Sequence, residues 1–274
     1  MKMIWIILLL SASGVLSFAQ KNKNKFRVIA FFTAQHDLAH ISFVHEAIPW
    51  FEAMSHKHHF IFDTTSNWEN MDDAFLNRYQ VVIFLDTRPE QAAPRSAFQK
   101  YMDHGGAWMG FHFAGFALTP SAYNQDWDWY HEKFLGSGQY KSNTWRPTSA
   151  YLRNEKNHLP FTRHFKKIIH TAPCEWYRWQ NDLRKNQDIE ILLTIHPKSF
   201  PLGTGPKPKE IWHEGDYPIA WTNTKYKMIY FNFGHNDMDY EGVTHKALSS
   251  TFSSAAQNRY LLKSILWLGK ERSN

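Results

Sequence analysis

Four short apolar runs, at residues 26–33, 58–64, 79–86 and 107–111, alternate with segments of helical spacing at 43–55, 68–77 and 94–104. This alternation constrains the fold more than any other feature. Parallel neighbours in a sheet need a crossover, and the crossover is normally a helix, so the order β-α-β-α-β-α-β predicts a doubly wound, mainly parallel α/β sheet. The runs at 79–86 (YQVVIFLD) and 107–111 (AWMGF) are nearly all apolar, as expected of strands covered on both faces. Right-handed crossovers put the loops after the first and fourth strands on one edge of the sheet. Ligands of open α/β sheets bind at the carboxyl ends of the strands. The loop at 33–42 carries His36 and His40, and the turn after the fourth strand carries His112. The three are expected to line one crevice.

Residues 103–115 (DHGGAWMGFHFAG) read as a helix end, a Gly-Gly turn, a buried strand and an abrupt turn. Gly105 and Gly106 suit a helix C-cap. Gly110 is expected to make room for a tight bend, and Gly115 to permit close backbone approach. Pro49 is awkward inside the helix at 43–55 and is expected to kink it or shift its start.

The second half is more elaborate. An aromatic stretch with Tyr123, Trp127, Trp129, Tyr130 and Phe134 is expected to open a helix near the crevice, where its rings stack a sugar face or pack the helix onto the sheet. Strands are predicted at 148–153, 175–179 (with Glu175 at its start), 189–195, 218–223 and 227–233. The Pro-, Gly- and Lys-rich residues 197–210 read as an exposed loop, and 251–268 as a final amphipathic helix. No internal repeat or domain break is visible.

The first ten residues are a basic start and an apolar core, followed by small residues and Ser17-Phe18-Ala19. This is the pattern of a cleaved secretory signal at 1–19, too short for a membrane span. A polar lead-in (20–25) and one domain (26–270) follow. The expected location is periplasmic or secreted, with no stable membrane insertion after cleavage. The chain has one cysteine, Cys174, which makes no internal disulfide and reads as a small buried residue rather than a nucleophile. The net charge of +6 is spread without a basic run, so no nucleic-acid partner is expected.

Several features in order carry a resemblance to a known family. They are His40 after the first strand, Gly110-x-His112, the Trp127-x-Trp129-Tyr130 segment running to Gly136, Asn157-His158-Leu159-Pro160, Glu175 with Tyr177, Pro218-Ile219-Ala220-Trp221, and Gly234-His235. The chain resembles the ThuA-like (trehalose utilisation) family, a branch of the class I glutamine amidotransferase-like, flavodoxin-like fold. In that wider fold the turn after the central strand carries a nucleophilic cysteine, and a later histidine and acid complete a triad. Here His112 stands at the cysteine position, His235 at the histidine position and Asp237 near the acid. Glutamine hydrolysis through a covalent acyl intermediate needs the thiolate, so amidotransferase activity is not expected.

The resemblance implies a carbohydrate substrate. Histidines around a cleft suit general acid–base chemistry near neutral pH. The expected catalytic set is His112, His235, His40, Glu175 and Asp237, acting on a glycoside or oxidised keto sugar. The expected substrate-binding set is His36, Trp127, Trp129, Tyr130 and Trp221. The alternative is a non-catalytic carbohydrate-binding protein on a fold that has lost its cysteine. His40, His112 and His235 with a carboxylate would also suit Zn²⁺, but no tight His-x-x-x-His or His-x-Glu spacing supports it. No cofactor is therefore expected, with a divalent metal the fallback. A homo-oligomer is compatible with the sequence.

Overall fold

The computed structural model describes residues 25–35, 37–118, 127–144, 147–155, 159–199, 215–235 and 248–270. The signal segment, His36, Tyr123, Asn157, His158, most of the 197–210 loop and Asp237 lie outside the described residues.

The expected alternation is present: β1 (Arg27–Phe31), α1 (Leu38–His58), β2 (Ile61–Thr65), α2 (Asp73–Leu76), β3 (Val81–Phe84), α3 (Ala92–Asp103) and β4 (Ala107–Phe111). The second half adds β5 (Tyr140–Asn143), β6 (Tyr151–Asn154), β7 (Ile168–His170), β8 (Tyr177–Trp179), β9 (Ile189–Ile195), β10 (Pro218–Asn223), β11 (Lys227–Phe231) and α4 (Ala255–Leu268). Nine strands form one sheet in the order β2-β1-β3-β4-β11-β10-β9-β6-β7, and β5 pairs with β8 in a separate two-stranded sheet. Strands β2, β1, β3, β4 and β11 are mutually parallel, whereas β10, β9, β6 and β7 continue antiparallel. This is a doubly wound, mainly parallel α/β fold.

Strand side chains alternate between two cores, as the pleat requires. Val28, Ala30, Val81, Ile83, Met109 and Phe231 pack with α1 and α4 on one face. Ile29, Phe31, Val82, Phe84, Trp108 and Tyr230 pack with α3 and the 127–135 segment on the other.

Several boundaries differ from expectation for local reasons. Helix α1 starts at Leu38 because Asp37 caps it, its carboxylate accepting from the backbone of Ala39 and His40. His40 therefore sits in a first helical turn, not in a loop. Pro49 is carried inside this helix. It lies on the exposed face, as does His45, whose carbonyl loses its helical partner there and faces water. The α3 terminus is a Schellman motif. Gly105 has φ +88°, its N–H bonds the Met102 carbonyl, and the Gly106 N–H bonds that of Tyr101.

Gly110 does not serve a bend. It lies inside β4, where a Cβ would fall 2.0 Å from the Trp108 indole. At Gly115 the close approach is by a side chain: a Cβ would lie 2.7 Å from the Tyr230 ring.

Candidate active site: three histidines and a buried glutamate

The carboxyl ends of β1, β4 and β11 converge on one cluster. Each histidine is placed by a different device. Buried Asp86, just beyond β3, accepts hydrogen bonds from the backbone of Thr33 (2.8 Å) and Ala34 (2.6 Å). That fixes the chain between β1 and α1, including Ala34 in a left-handed conformation (φ 51°), and α1 then presents His40 in its first turn.

His112 follows β4 directly with φ 41°, a strained backbone region for a non-glycine residue. The surroundings hold it there. The Tyr230 hydroxyl donates to the His112 carbonyl (2.7 Å), and the Tyr130 hydroxyl to the Ala114 carbonyl (2.9 Å). His235 lies four residues beyond β11 and is fully buried. Gly234 precedes it because any Cβ there would meet the His112 ring at 2.5 Å.

The ring centroids lie 5.6 Å (His40–His112), 5.1 Å (His40–His235) and 4.9 Å (His112–His235) apart. One nitrogen from each falls within 4.8 Å of the others. Glu175 completes the set: its Oε2 is 3.3 Å from Nε2 of His112 and 3.3 Å from Nε2 of His235. The other carboxylate oxygen accepts from the Asn143 amide on β5. The Tyr177 ring on β8 stacks on His112 at 4.2 Å. The small β5–β8 sheet thus supplies the carboxylate's anchor and the imidazole's stacking partner.

Asn232 ties these parts together. Its side-chain oxygen accepts from the Tyr177 N–H (2.7 Å), and its carbonyl lies 3.3 Å from His112 Nδ1 and accepts from Cys174 Sγ (3.1 Å). Cys174 is a buried thiol, and burial pushes its pKa up, which suits a structural residue and not a nucleophile.

Burial lowers the pKa of His112, with His235 adding to the effect and Glu175 opposing it. His40 is also held down, by burial and by the neighbouring His235. Burial opposes ionisation of Glu175, but its contacts with His112 and His235 outweigh this and keep the carboxyl well below its ordinary range. The result at neutral pH is a carboxylate beside the neutral imidazoles of His40 and His112.

Stability should reflect these shifts. An unfolded chain takes up protons on its histidines near pH 6.5, whereas the folded chain resists charging His112 and His40. The unfolded state then binds more protons, and stability falls as pH drops through that value. Glu175 acts in the same direction at still lower pH. Thermal denaturation in chelator should give a lower Tm at pH 5 than at pH 7.5, with the difference reduced in His40→Ala. A Tm that is flat or rises on acidification would contradict this charge assignment.

Of the expected catalytic residues, His40, His112, His235 and Glu175 come together, while Asp237 lies outside the described residues. The expected aromatic platform is corrected. Trp221 is fully buried on β10, its indole N–H donating to the Leu135 carbonyl (2.8 Å). Tyr130 is fully buried, and Trp127, stacked on it at 4.8 Å, is 9% exposed. Trp129 packs on Phe134 (5.1 Å) and Tyr226 (5.7 Å). Tyr226 precedes β11 while His235 follows it, so about 16 Å of strand separates Trp129 from the site. These rings are core because the segment at 127–135 seals the α3 face of the sheet. His36 lies outside the described residues.

Other rings border the cluster. Half-buried Phe113 lies 4.8 Å from His40 and stacks on Phe116 at 4.7 Å, and Phe116 meets Tyr140 at 4.7 Å. The motif Phe113-x-x-Phe116 directly after His112 was the available sequence signal. Arg88, just beyond β3 on the same sheet edge, is 3% exposed, and its Nε and Nη2 have no hydrogen-bond partner among the described residues. Nothing in its local sequence marked it.

The family model described as "ThuA: Trehalose utilisation" matches residues 27–250. The chain belongs to the ThuA family. A crystal structure of a ThuA-like protein from Bacteroides uniformis is 32% identical, with a TM-score of 0.79, covering 92% of this chain and 95% of that one. A ThuA-like protein from Parabacteroides merdae shares the fold at 14% identity and a TM-score of 0.60, covering 89% of this chain and 90% of that one. No curated protein matches the chain. The matched span takes in the four clustered residues, so the site is built within the ThuA-family part of the molecule.

Proposed function

We propose that this ThuA-family chain is an exported enzyme of carbohydrate utilisation that moves a proton on a glycoside or keto sugar at the His40–His112–His235–Glu175 cluster. The observation that carries the reading is the bridging carboxylate: Glu175 Oε2 stands 3.3 Å from two imidazoles. An ionised carboxylate beside the neutral imidazole of His112 pairs a base with a group able to carry a proton onward. Proton removal next to a sugar carbonyl, epimerisation, and elimination from an oxidised glycoside all begin with that step.

The half-buried Phe113, Phe116 and Tyr140 give a sugar ring apolar faces beside the histidines. A binding-only reading is weakened, because Trp127, Tyr130 and Trp221 are core residues with little or no surface to offer. Phe113→Ala is expected to raise KM about fivefold to tenfold with kcat changed less, and an unchanged KM would remove this ring from the site.

The reading is tested by proton NMR of trehalose, simple glucosides and their 3-keto derivatives mixed with purified protein. Consumption of at least one of these sugars is expected. Unaltered spectra for the whole panel, with or without added divalent metal, would overturn it.

A further inference from the structure

The cluster has a feature that proton transfer alone leaves unexplained. Nε2 of His112 and both ring nitrogens of His235 are buried and have no hydrogen-bond partner among the described residues. Their 3.3 Å approaches to Glu175 Oε2 are contacts without hydrogen-bond geometry. Buried polar atoms are normally paired, and several orphans aimed at one point ask for a missing group. His112 Nδ1 lies 3.3 Å from both the backbone carbonyl and the side-chain amide nitrogen of Asn232. With its proton on Nδ1 and donated to that carbonyl, His112 turns a lone pair on Nε2 toward a carboxylate oxygen, and two lone-pair atoms at that separation repel unless a cation lies between them.

We infer that His40, His112 and His235, with Glu175 Oε2 as fourth donor, bind one divalent transition-metal ion of the Zn²⁺ class. A tetrahedral site with metal–ligand bonds near 2.0–2.1 Å has ligand atoms about 3.3–3.4 Å apart, the separation already held between Glu175 Oε2 and both Nε2 atoms. The three histidine donors lie within 4.8 Å of one another, so one ring must move inward. His40, half-buried in the first turn of α1, has that freedom. The supporting contacts are those a metal site uses: a backbone carbonyl facing the distal nitrogen of a ligating histidine, and an amide (Asn143) holding the far oxygen of the carboxylate. Imidazole and carboxylate donors suit Zn²⁺ and its neighbours better than Mg²⁺ or Ca²⁺. The inference rests on the same cluster as the proposed function; an ion of this class would serve the sugar chemistry through a fifth coordination position, holding a sugar oxygen or a water that takes the proton.

The test needs no sugar. Purified protein is stripped with chelator, dialysed against micromolar Zn²⁺ and measured for bound metal and thermal shift. Expected is one ion per chain with a raised Tm. His112→Ala and His40→Ala should weaken binding by about 100-fold or more, while His164→Ala, which lies outside the cluster, should bind as before. His40→Ala removes a half-buried ring and keeps the comparison interpretable if His112→Ala fails to fold. Wild-type protein that retains no ion and shows no shift would overturn the inference, as would stoichiometric binding that survives in both cluster variants. Metal binding without sugar turnover would leave the site standing and sink the sugar reading. Turnover that persists in chelator would do the reverse.

Discussion

His112→Ala is expected to lower sugar turnover by about a thousandfold, within the range that loss of a positioned proton carrier or ligand produces. The ring is fixed from every side. Tyr177 stacks on it, Asn232 faces Nδ1, Gly234 leaves it space, and the Tyr230 hydroxyl holds its carbonyl. Its Nε2 meets the carboxylate that also meets His235. Deleting it leaves Glu175 with one buried imidazole partner and opens a gap against Tyr177 and Gly234. Initial rates by NMR, with circular dichroism to verify the fold, provide the check. A variant that is folded and within threefold of the wild-type rate would place the chemistry elsewhere.

Gly110→Ala is expected to be among the most destabilising single-methyl additions in the chain. Strand β4 lies between β3 and β11, and its residues are buried throughout. The Trp108 indole folds back over Gly110, so a new Cβ would sit 2.0 Å from its ring. Trp108 is wedged against Phe84 (5.7 Å) and Phe134 (5.1 Å) and has nowhere to move without displacing them. Overpacking of this kind costs about 3 kcal/mol or more, a Tm loss of roughly 6–12 °C for a chain of this size. Differential scanning calorimetry reads this directly, and a loss under 2 °C would mean that Trp108 repacks freely. The turn carrying His112 follows two residues later, so strain in β4 should also reduce activity.

Much of the fold was legible because its strands are short apolar runs closed by turn-forming residues. Strands β4, β9 and β10 match their expected bounds for that reason. The start of α1 was hidden because Asp37-Leu38-Ala39-His40 reads as polar loop until Asp37 is recognised as a cap. His40 and His112 were legible through topology, since the ends of parallel strands meet on one edge, and His235 through the family resemblance. The partners that orient them were not. Asn143, Asn232 and Tyr177 come from segments far apart in sequence, brought together by the pairing of β5 with β8 and by the chain beyond β11. The aromatic stretch misled because a stacking platform and a core-sealing segment share one composition. Only the pairing of Trp129 with Tyr226, at the far end of β11, separates them.

The most direct test of the central claim follows the proton. A 3-keto glucoside is incubated in D₂O with wild-type protein and with Glu175→Gln, and deuterium is sought by NMR at the carbons beside the carbonyl. Deuterium incorporation or product formation is expected with the wild type, and loss of both in the variant, because Glu175 is the carboxylate that joins His112 to His235. Turnover undiminished in Glu175→Gln would contradict it and remove this cluster from the chemistry.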